Sequence, residues 1–340
     1  MAGQLAHLDT ATLDALMQQA QLLRSRSNDR DSSFDSWVER ALKKESKGLA
    51  RATDLRSGTV VSVYPKMCSV EPERGLETVL VGNHVVVVGD HVQFGELGSE
   101  TVVVRIEPRF SKLSRPDVGY VGQERLIAAN IDLIVIAVSV SAPPLHPRII
   151  DRFLAAIRAG GASPVICVNK IDLLEDRTEL ELLEPYKAIG IPVIFCSAHG
   201  GQGIEELREM AKGKTVAFVG HSGVGKSSLM NAFAPELGLV TGSVSEGYGR
   251  GTHTTTVSSL HRLSGGTTLI DTPGIRKFGL WAMGEDQLLE SFPEIAAMTC
   301  RFSDCAHVSE PGCGVLSALA EGILSEDRYN AYLKLRSELV

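Results

Sequence analysis

The sequence has no long apolar run. Its longest candidate, residues 131–140, includes Asp132 and falls well short of the ~18 residues a membrane helix needs. Residues 1–30 hold no apolar stretch of the signal-peptide kind and carry several acids, so no leader is expected, and the expected setting is the cytoplasm, away from membranes. Excess positive charge is also missing. Lys and Arg number 34 against 41 Asp and Glu, a net charge of −7, which excludes a chain that coats polyanions with one global field and leaves RNA contact to local patches. Most of the acidic excess lies in residues 283–340, with 10 acidic and 4 basic side chains. Cysteines number only 6, yet Cys300, Cys305 and Cys313 cluster. In a reducing compartment such clustering points to a metal before a disulfide.

What is present is a chain of 340 residues, 44% hydrophobic, enough for two to three domains. Residues 1–55 read as a short amphipathic helix followed by a polar and basic tail, a mobile segment with a solvated face. Residues 56–112 carry short β-rich runs punctuated by Gly, Pro and Asn, which predicts a small five-stranded OB-like β-barrel. Its charge is balanced, and Tyr64 and Phe94 are the aromatics of residues 56–108. Residues 113–282 alternate strands and helices, the pattern of a mostly parallel sheet covered on both faces. Helices are expected at 147–159, 178–189, 203–212 and 226–233. Residues 283–340 become helical and acidic around the Cys cluster. The expected fold is therefore multidomain: barrel, α/β domain, and a small, mainly helical metal-binding unit.

The strongest motif is Gly220-His221-Ser222-Gly223-Val224-Gly225-Lys226-Ser227-Ser228. It fits G-x-x-x-x-G-K-[ST] between an apolar strand and a helix, the context that identifies a phosphate loop. Glycines let the backbone wrap a polyphosphate, successive N–H groups point at the anion, Lys226 reaches the β and γ phosphates, and Ser227 ligates Mg²⁺. Asp271-Thr272-Pro273-Gly274 follows the strand ending at Ile270. An acid there holds Mg²⁺, and Gly274 is placed to offer its N–H to a γ-phosphate. Asn169-Lys170-Ile171-Asp172 ends another strand, and Ser197-Ala198 follows the next. An Asp172 carboxylate accepts the N1–H and exocyclic amine of guanine, a donor pair that adenine lacks. Lys170 would lie over the base, Asn169 would brace the loops, and the Ser197-Ala198 backbone would offer an N–H near guanine O6.

Together these pieces resemble the signature motifs of the translation-factor-like GTPases, in an altered order. The base-reading motifs precede the phosphate loop, which is a circular permutation of the domain. Asp271-Thr272-Pro273-Gly274 then runs straight into the C-terminal segment, so a loop that feels the γ-phosphate is continuous with the Cys/His cluster. That cluster, Cys300-x₄-Cys305-x-His307-x₅-Cys313, is a complete tetrahedral set for one structural Zn²⁺ and leaves no position open to substrate. Cys68, Cys167 and Cys196 fall in strand-like runs and read as buried hydrophobes. Ile275 stands where many GTPases place a water-orienting Gln. The loop 247–256 belongs to a first switch, where Thr254 or Thr255 would complete the Mg²⁺ shell and His253 would orient the attacking water.

The motif order, the Gly-Thr-His-Thr-Thr-Thr loop at 251–256, the barrel before and the Cys₃His cluster after resemble one family, the bacterial small ribosomal subunit biogenesis GTPases RsgA, also called YjeQ or YloQ. The resemblance covers about residues 56–340. It implies a GTP hydrolase acting in late maturation of the 30S subunit and its 16S rRNA, stimulated by that subunit and released on hydrolysis. The family's proposed catalytic histidine maps onto His253. A monomer is the default expectation. Two other readings follow from the residues alone. One is a GTP-gated ribosome- or RNA-binding module with negligible hydrolysis, which Ile275 leaves open. The other is a small-molecule kinase, which the guanine-reading motif disfavours.

Overall fold

The computed structural model describes residues 52–116, 124–239, 258–271 and 283–339. The amphipathic helix and tail expected before residue 52 lie outside the described residues.

The N-terminal part is a ring of short strands: β1 (Thr53–Val63), β2 (Met67–Glu71), β3 (Glu77–Leu80), β4 (His91–Leu97) and β5 (Glu100–Ile106). The pairing runs β1-β2-β3-β5-β4, and β4 pairs back onto β1. One strand can serve two neighbours because β1 is long and irregular: residues 59–63 pair with β2 and residues 53–59 with β4, with register shifts along the way. Gly58 lies where β1 crosses β2; a Cβ there would stand 2.6 Å from Val70 Cγ1 and 2.8 Å from Glu71 O. Val60, Cys68, Val70, Val79, Val92, Phe94 and Val103 fill the ring. Arg109 braces it by a bidentate pair to the fully buried Asp90, Nε to Oδ1 at 2.6 Å and Nη2 to Oδ2 at 2.8 Å.

A hairpin of β6 (Lys112–Pro116) and β7 (Glu124–Ala129) leads into the α/β domain. Its strands are β8 (Leu133–Ser139), β9 (Ser163–Asn169), β10 (Val193–Phe195), β11 (Thr215–Gly220), β12 (Ser259–Arg262) and β13 (Thr268–Asp271). They lie in the order β10-β9-β8-β11-β13-β12, parallel except for β12. Every residue of β8 is buried, as a strand covered on both faces requires. Helix α1 (Pro147–Ala159) packs on one face, and α3 (Ile204–Ala211) and α4 (Lys226–Phe233) on the other. The phosphate-loop strand β11 sits mid-chain in sequence yet mid-sheet in space, between β8 and β13.

The helix expected at 178–189 is not continuous. Residues Arg177–Leu183 form 3-10 turns, and only Glu184–Ala188 (α2) is α-helical. Pro185 has no N–H to donate to the preceding turn, so the helix restarts there with proline in its first turn.

Four helices close the described chain: α5 (Glu285–Glu290), α6 (Pro293–Ala296), α7 (Gly314–Ala320) and α8 (Glu326–Arg336). Their core of Leu288, Phe292, Ile295, Val315, Tyr332 and Leu335 also takes in Ala155 of α1, so this unit docks on the α/β domain. Arg328 crosses the boundary almost fully buried. It pairs with Asp151 of α1 and with Glu294 at 2.6 Å, and its guanidinium lies over the Phe292 ring at 4.3 Å. Among the described residues no helix is long and apolar enough to cross a membrane.

Candidate functional site

Three loops meet at the C-terminal ends of β9, β10 and β11. The phosphate loop leaves β11 at Gly220, where the backbone passes so close to β8 that a Cβ would lie 2.4 Å from Ala137 O. Gly225 precedes α4 with φ of 82°, and a Cβ there would meet Asn169 Nδ2 at 2.5 Å. Glycine is required at both positions by close approach, and at Gly225 also by its left-handed φ. Lys226, Ser227 and Ser228 open α4, whose first N–H groups have no partner inside the helix and present positive charge to the loop. His221 and Ser222 are exposed; His221 Nδ1 lies 3.0 Å from Ser222 O.

Asn169 is 2% exposed and joins all three loops. Its Nδ2 donates to Val224 O of the phosphate loop at 2.9 Å, and its Oδ1 accepts from Ala198 N at 3.1 Å. Lys170, in the left-handed region at φ 62°, sends its ammonium to three carbonyls: Ser141 at 3.1 Å, Ala142 at 2.6 Å and Gly223 at 2.8 Å. Ile171 donates its N–H to Cys196 O at 3.1 Å. Asp172 is exposed, and a hydrogen bond from the Ser197 hydroxyl holds its carboxyl below the usual range. Ser197 itself is buried, and its Oγ accepts from Gly200 N at 2.8 Å.

In the structure Ser197 N donates to Gln202 O at 3.0 Å and Ala198 N to Asn169 Oδ1 at 3.1 Å, so this backbone is tied to the loops around it. The sequence shows no sign that residues 139–143 belong here. Ser139 Oγ donates to Pro143 O at 2.7 Å, folding this segment so that its carbonyls face Lys170.

Asp271 ends β13, beside the phosphate-loop strand. Ser227 stands in the first turn of α4. His253, Thr254, Thr255, Gly274 and Ile275 lie outside the described residues.

The second site is the Cys/His cluster, where the ligand atoms of Cys300, Cys305, His307 and Cys313 all lie within 4.8 Å of one another. Cys300 Sγ is 3.8 Å from Cys313 Sγ, and His307 Nδ1 is 3.5 Å and 3.6 Å from those two sulfurs. A zinc tetrahedron with Zn–S of about 2.3 Å and Zn–N of about 2.05 Å has edges of about 3.8 Å and about 3.5 Å, so the residues fit that ion. Burial opposes ionisation of Cys300, but backbone N–H groups of Gly314 and Val315 turned on the sulfur bring its pKa below the usual value. Glu310 clasps the loop by accepting the N–H groups of Ala306, Val308 and Ser309 at 2.8–2.9 Å, which lowers its pKa to about 2. Tyr329 and Arg336 of α8 bond the carbonyls of His307 and Ala306. Cys68, Cys167 and Cys196 are buried and unbridged.

The comparisons with known proteins agree with this geometry. The family model of the RsgA GTPase matches residues 106–281. A small ribosomal subunit biogenesis GTPase RsgA of Gemmatimonas aurantiaca is 41% identical over 268 residues, covering 78% of this chain and 86% of that one. The protein of the same name from Haemophilus influenzae is 40% identical over 299 residues, 84% of this chain and 85% of that one. Among solved structures, YjeQ from Thermotoga maritima aligns with a TM-score of 0.67 at 32% identity, over 84% of this chain and 98% of that one. YloQ, described as a circularly permuted GTPase, aligns at 0.65 with 26% identity, over 85% and 96%. Matching in motif, in permuted order and over most of its length, the chain belongs to the RsgA GTPase family.

Proposed function

We propose that this chain hydrolyses GTP on the small ribosomal subunit, assisting late 30S maturation and leaving on hydrolysis. The observation that carries the reading is the convergence of Asn169, Lys170 and the Asp172–Ser197 pair with the phosphate loop. This is a base-reading edge and a phosphate cradle held in one rigid arrangement. Asp172 reads the guanine N1–H and amine. Ile171, Ser197 and Ala198 shape the base pocket, with Ser197 acting through its hydroxyl on Asp172. Gly220, His221, Ser222, Gly223, Val224, Gly225, Lys226, Ser227 and Ser228 wrap the phosphates, and Gly274 meets the γ-phosphate.

Bound Mg²⁺ would neutralise developing phosphate charge; Ser227, Asp271, Thr254 and Thr255 are the residues to hold it. His253 orients the attacking water, the role Ile275 is unable to fill. One zinc held by Cys300, Cys305, His307 and Cys313 supplies folding energy to residues 283–340. Nucleotide state reaches that unit through residues 272–282.

The closed strand pairing of residues 53–106 supports an OB-like barrel as one domain, beside the α/β domain to 282 and the zinc unit beyond. The 30S subunit with its 16S rRNA is the partner, in the cytoplasm, and the chain acts as a monomer. Cosedimentation tests the partner. With a non-hydrolysable GTP analogue the chain should pellet with 30S and not 50S, and with GDP it should stay in the supernatant. Equal pelleting with both subunits, or in both nucleotide states, contradicts the proposal.

A further inference from the structure

The segment between β8 and α1 carries none of the recognised nucleotide motifs, yet the nucleotide site is built against it. Ser139 is 1% exposed at the end of β8 and lies opposite Asn169 in the parallel register. Its hydroxyl donates to Pro143 O at 2.7 Å, and the N–H of Val140 donates to Asn169 O at 3.3 Å. The first bond folds residues 139–143 back on themselves, with Ala142 at φ 45°, and the second ties the segment to the end of β9. The carbonyls of Ser141 and Ala142 then converge on the Lys170 ammonium, which also holds Gly223 O. Pro143 closes the arrangement from the other side: a Cβ on Gly223 would stand 3.3 Å from Pro143 Cδ.

We infer that Ser139 is a positioning residue for nucleotide binding, acting through Lys170. The inference rests on the proposal that guanine nucleotide occupies this site. An ammonium has three N–H donors, and here each faces a carbonyl. Two belong to the segment that Ser139 folds, and the third belongs to the phosphate loop. Fixing the first two fixes the direction of the third, and with it the register of the phosphate loop against the lysine stem that covers the base. Without the Ser139 hydroxyl, Pro143 O loses its donor and the Ser141–Ala142 carbonyls lose their aim. The Lys170 side chain then has to be ordered by the nucleotide itself. That cost falls on binding and spares the hydrolytic step, because the bonds the 139–143 segment makes run to Asn169, to Lys170 and within the segment itself.

The test uses the full-length chain and a fluorescent N-methylanthraniloyl GDP, followed by stopped-flow displacement with excess GDP. Ser139→Ala should release the probe about 3- to 10-fold faster, the scale of one neutral hydrogen bond, and raise KM for GTP with kcat unchanged. Ser139→Cys, which keeps the size and a weak donor, should fall between the two. Lys170→Met should also speed release, and the Ser139→Ala/Lys170→Met double variant should be no faster than Lys170→Met alone, as two residues acting in series require. Additive effects in the double variant, or release from Ser139→Ala at the parent rate, would overturn the inference. Additivity also separates a general loosening of the fold from action through Lys170. A parent chain that fails to bind the probe overturns the nucleotide-site proposal itself, and the inference with it.

Discussion

Asp172, proposed to read the guanine edge, is an exposed carboxylate favoured in its charged form. It faces water, yet the Ser197 hydroxyl donates to it and draws its pKa below 3.8. The sign is that of any carboxylate favoured in its charged form: the interaction is fully present above the ordinary carboxylate pKa and is lost only as pH falls through the depressed one. Preference for GTP over ATP should therefore be constant between about pH 5 and pH 8 and should fall in Asp172→Asn at every pH. Competition binding with both nucleotides across that range checks this; a preference that already declines near pH 6 would assign base reading to another group. At this scale much of the site is legible in the sequence, because each motif is a short contiguous string at a strand end. Its bracing is less so. Asn169 and Ala198 meet across 29 positions, and Lys170 and Gly223 across 53, distances over which spacing carries no signal.

Elements succeed or fail as expectations for equally local reasons. Helices at 147–159 and 226–233 match α1 and α4 because proline or a glycine-lysine step marks the start of each. The β6–β7 hairpin goes unseen, since Lys112–Pro116 has neither sustained alternation nor a short turn to its partner strand. The Cys/His loop is an element whose form depends on its ligands more than on any propensity. Four side chains of zinc-like spacing draw the loop together, while Glu310 and two residues of α8 hold its backbone. One zinc per chain is expected by elemental analysis of the native protein. Cys305→Ala should lose it, and Glu310→Ala should keep it but release it faster to a chelator. A native protein without zinc, or a Glu310→Ala variant with unchanged release, would contradict this account of the loop.

At the scale of the molecule, the question is how three units hold together around one nucleotide. Strand β12, which follows the 240–257 segment, pairs with β1 of the ring at Ser62 and Ser259, and Arg262 reaches Glu71 at 2.7 Å. The helical unit is tied by Arg328, caught between Asp151 and Glu294 in a setting where Tyr186 also bonds Asp151 at 2.8 Å. Nothing in the sequence marks this pair, because Asp151 and Arg328 are 177 residues apart. Removing Asp151 leaves the buried Arg328 to Glu294, which costs part of the roughly 3–5 kcal/mol that breaking a buried ion pair takes. Asp151→Ala should accordingly expose residues 283–339 to faster amide exchange while leaving exchange in the ring unchanged. Exchange unaltered in α8 would show that the apolar contacts alone hold the unit.

The central claim is that this GTPase is switched on by one ribosomal subunit. Steady-state GTP turnover, measured with and without purified 30S subunits and with 50S and ATP as controls, tests it most directly. The account predicts slow turnover alone and stimulation by 30S only, approaching the ~10³–10⁵-fold that other activated GTPases reach, lost in Lys226→Ala and in His253→Ala. GTP held tightly but turned over at the same rate with or without 30S would contradict it.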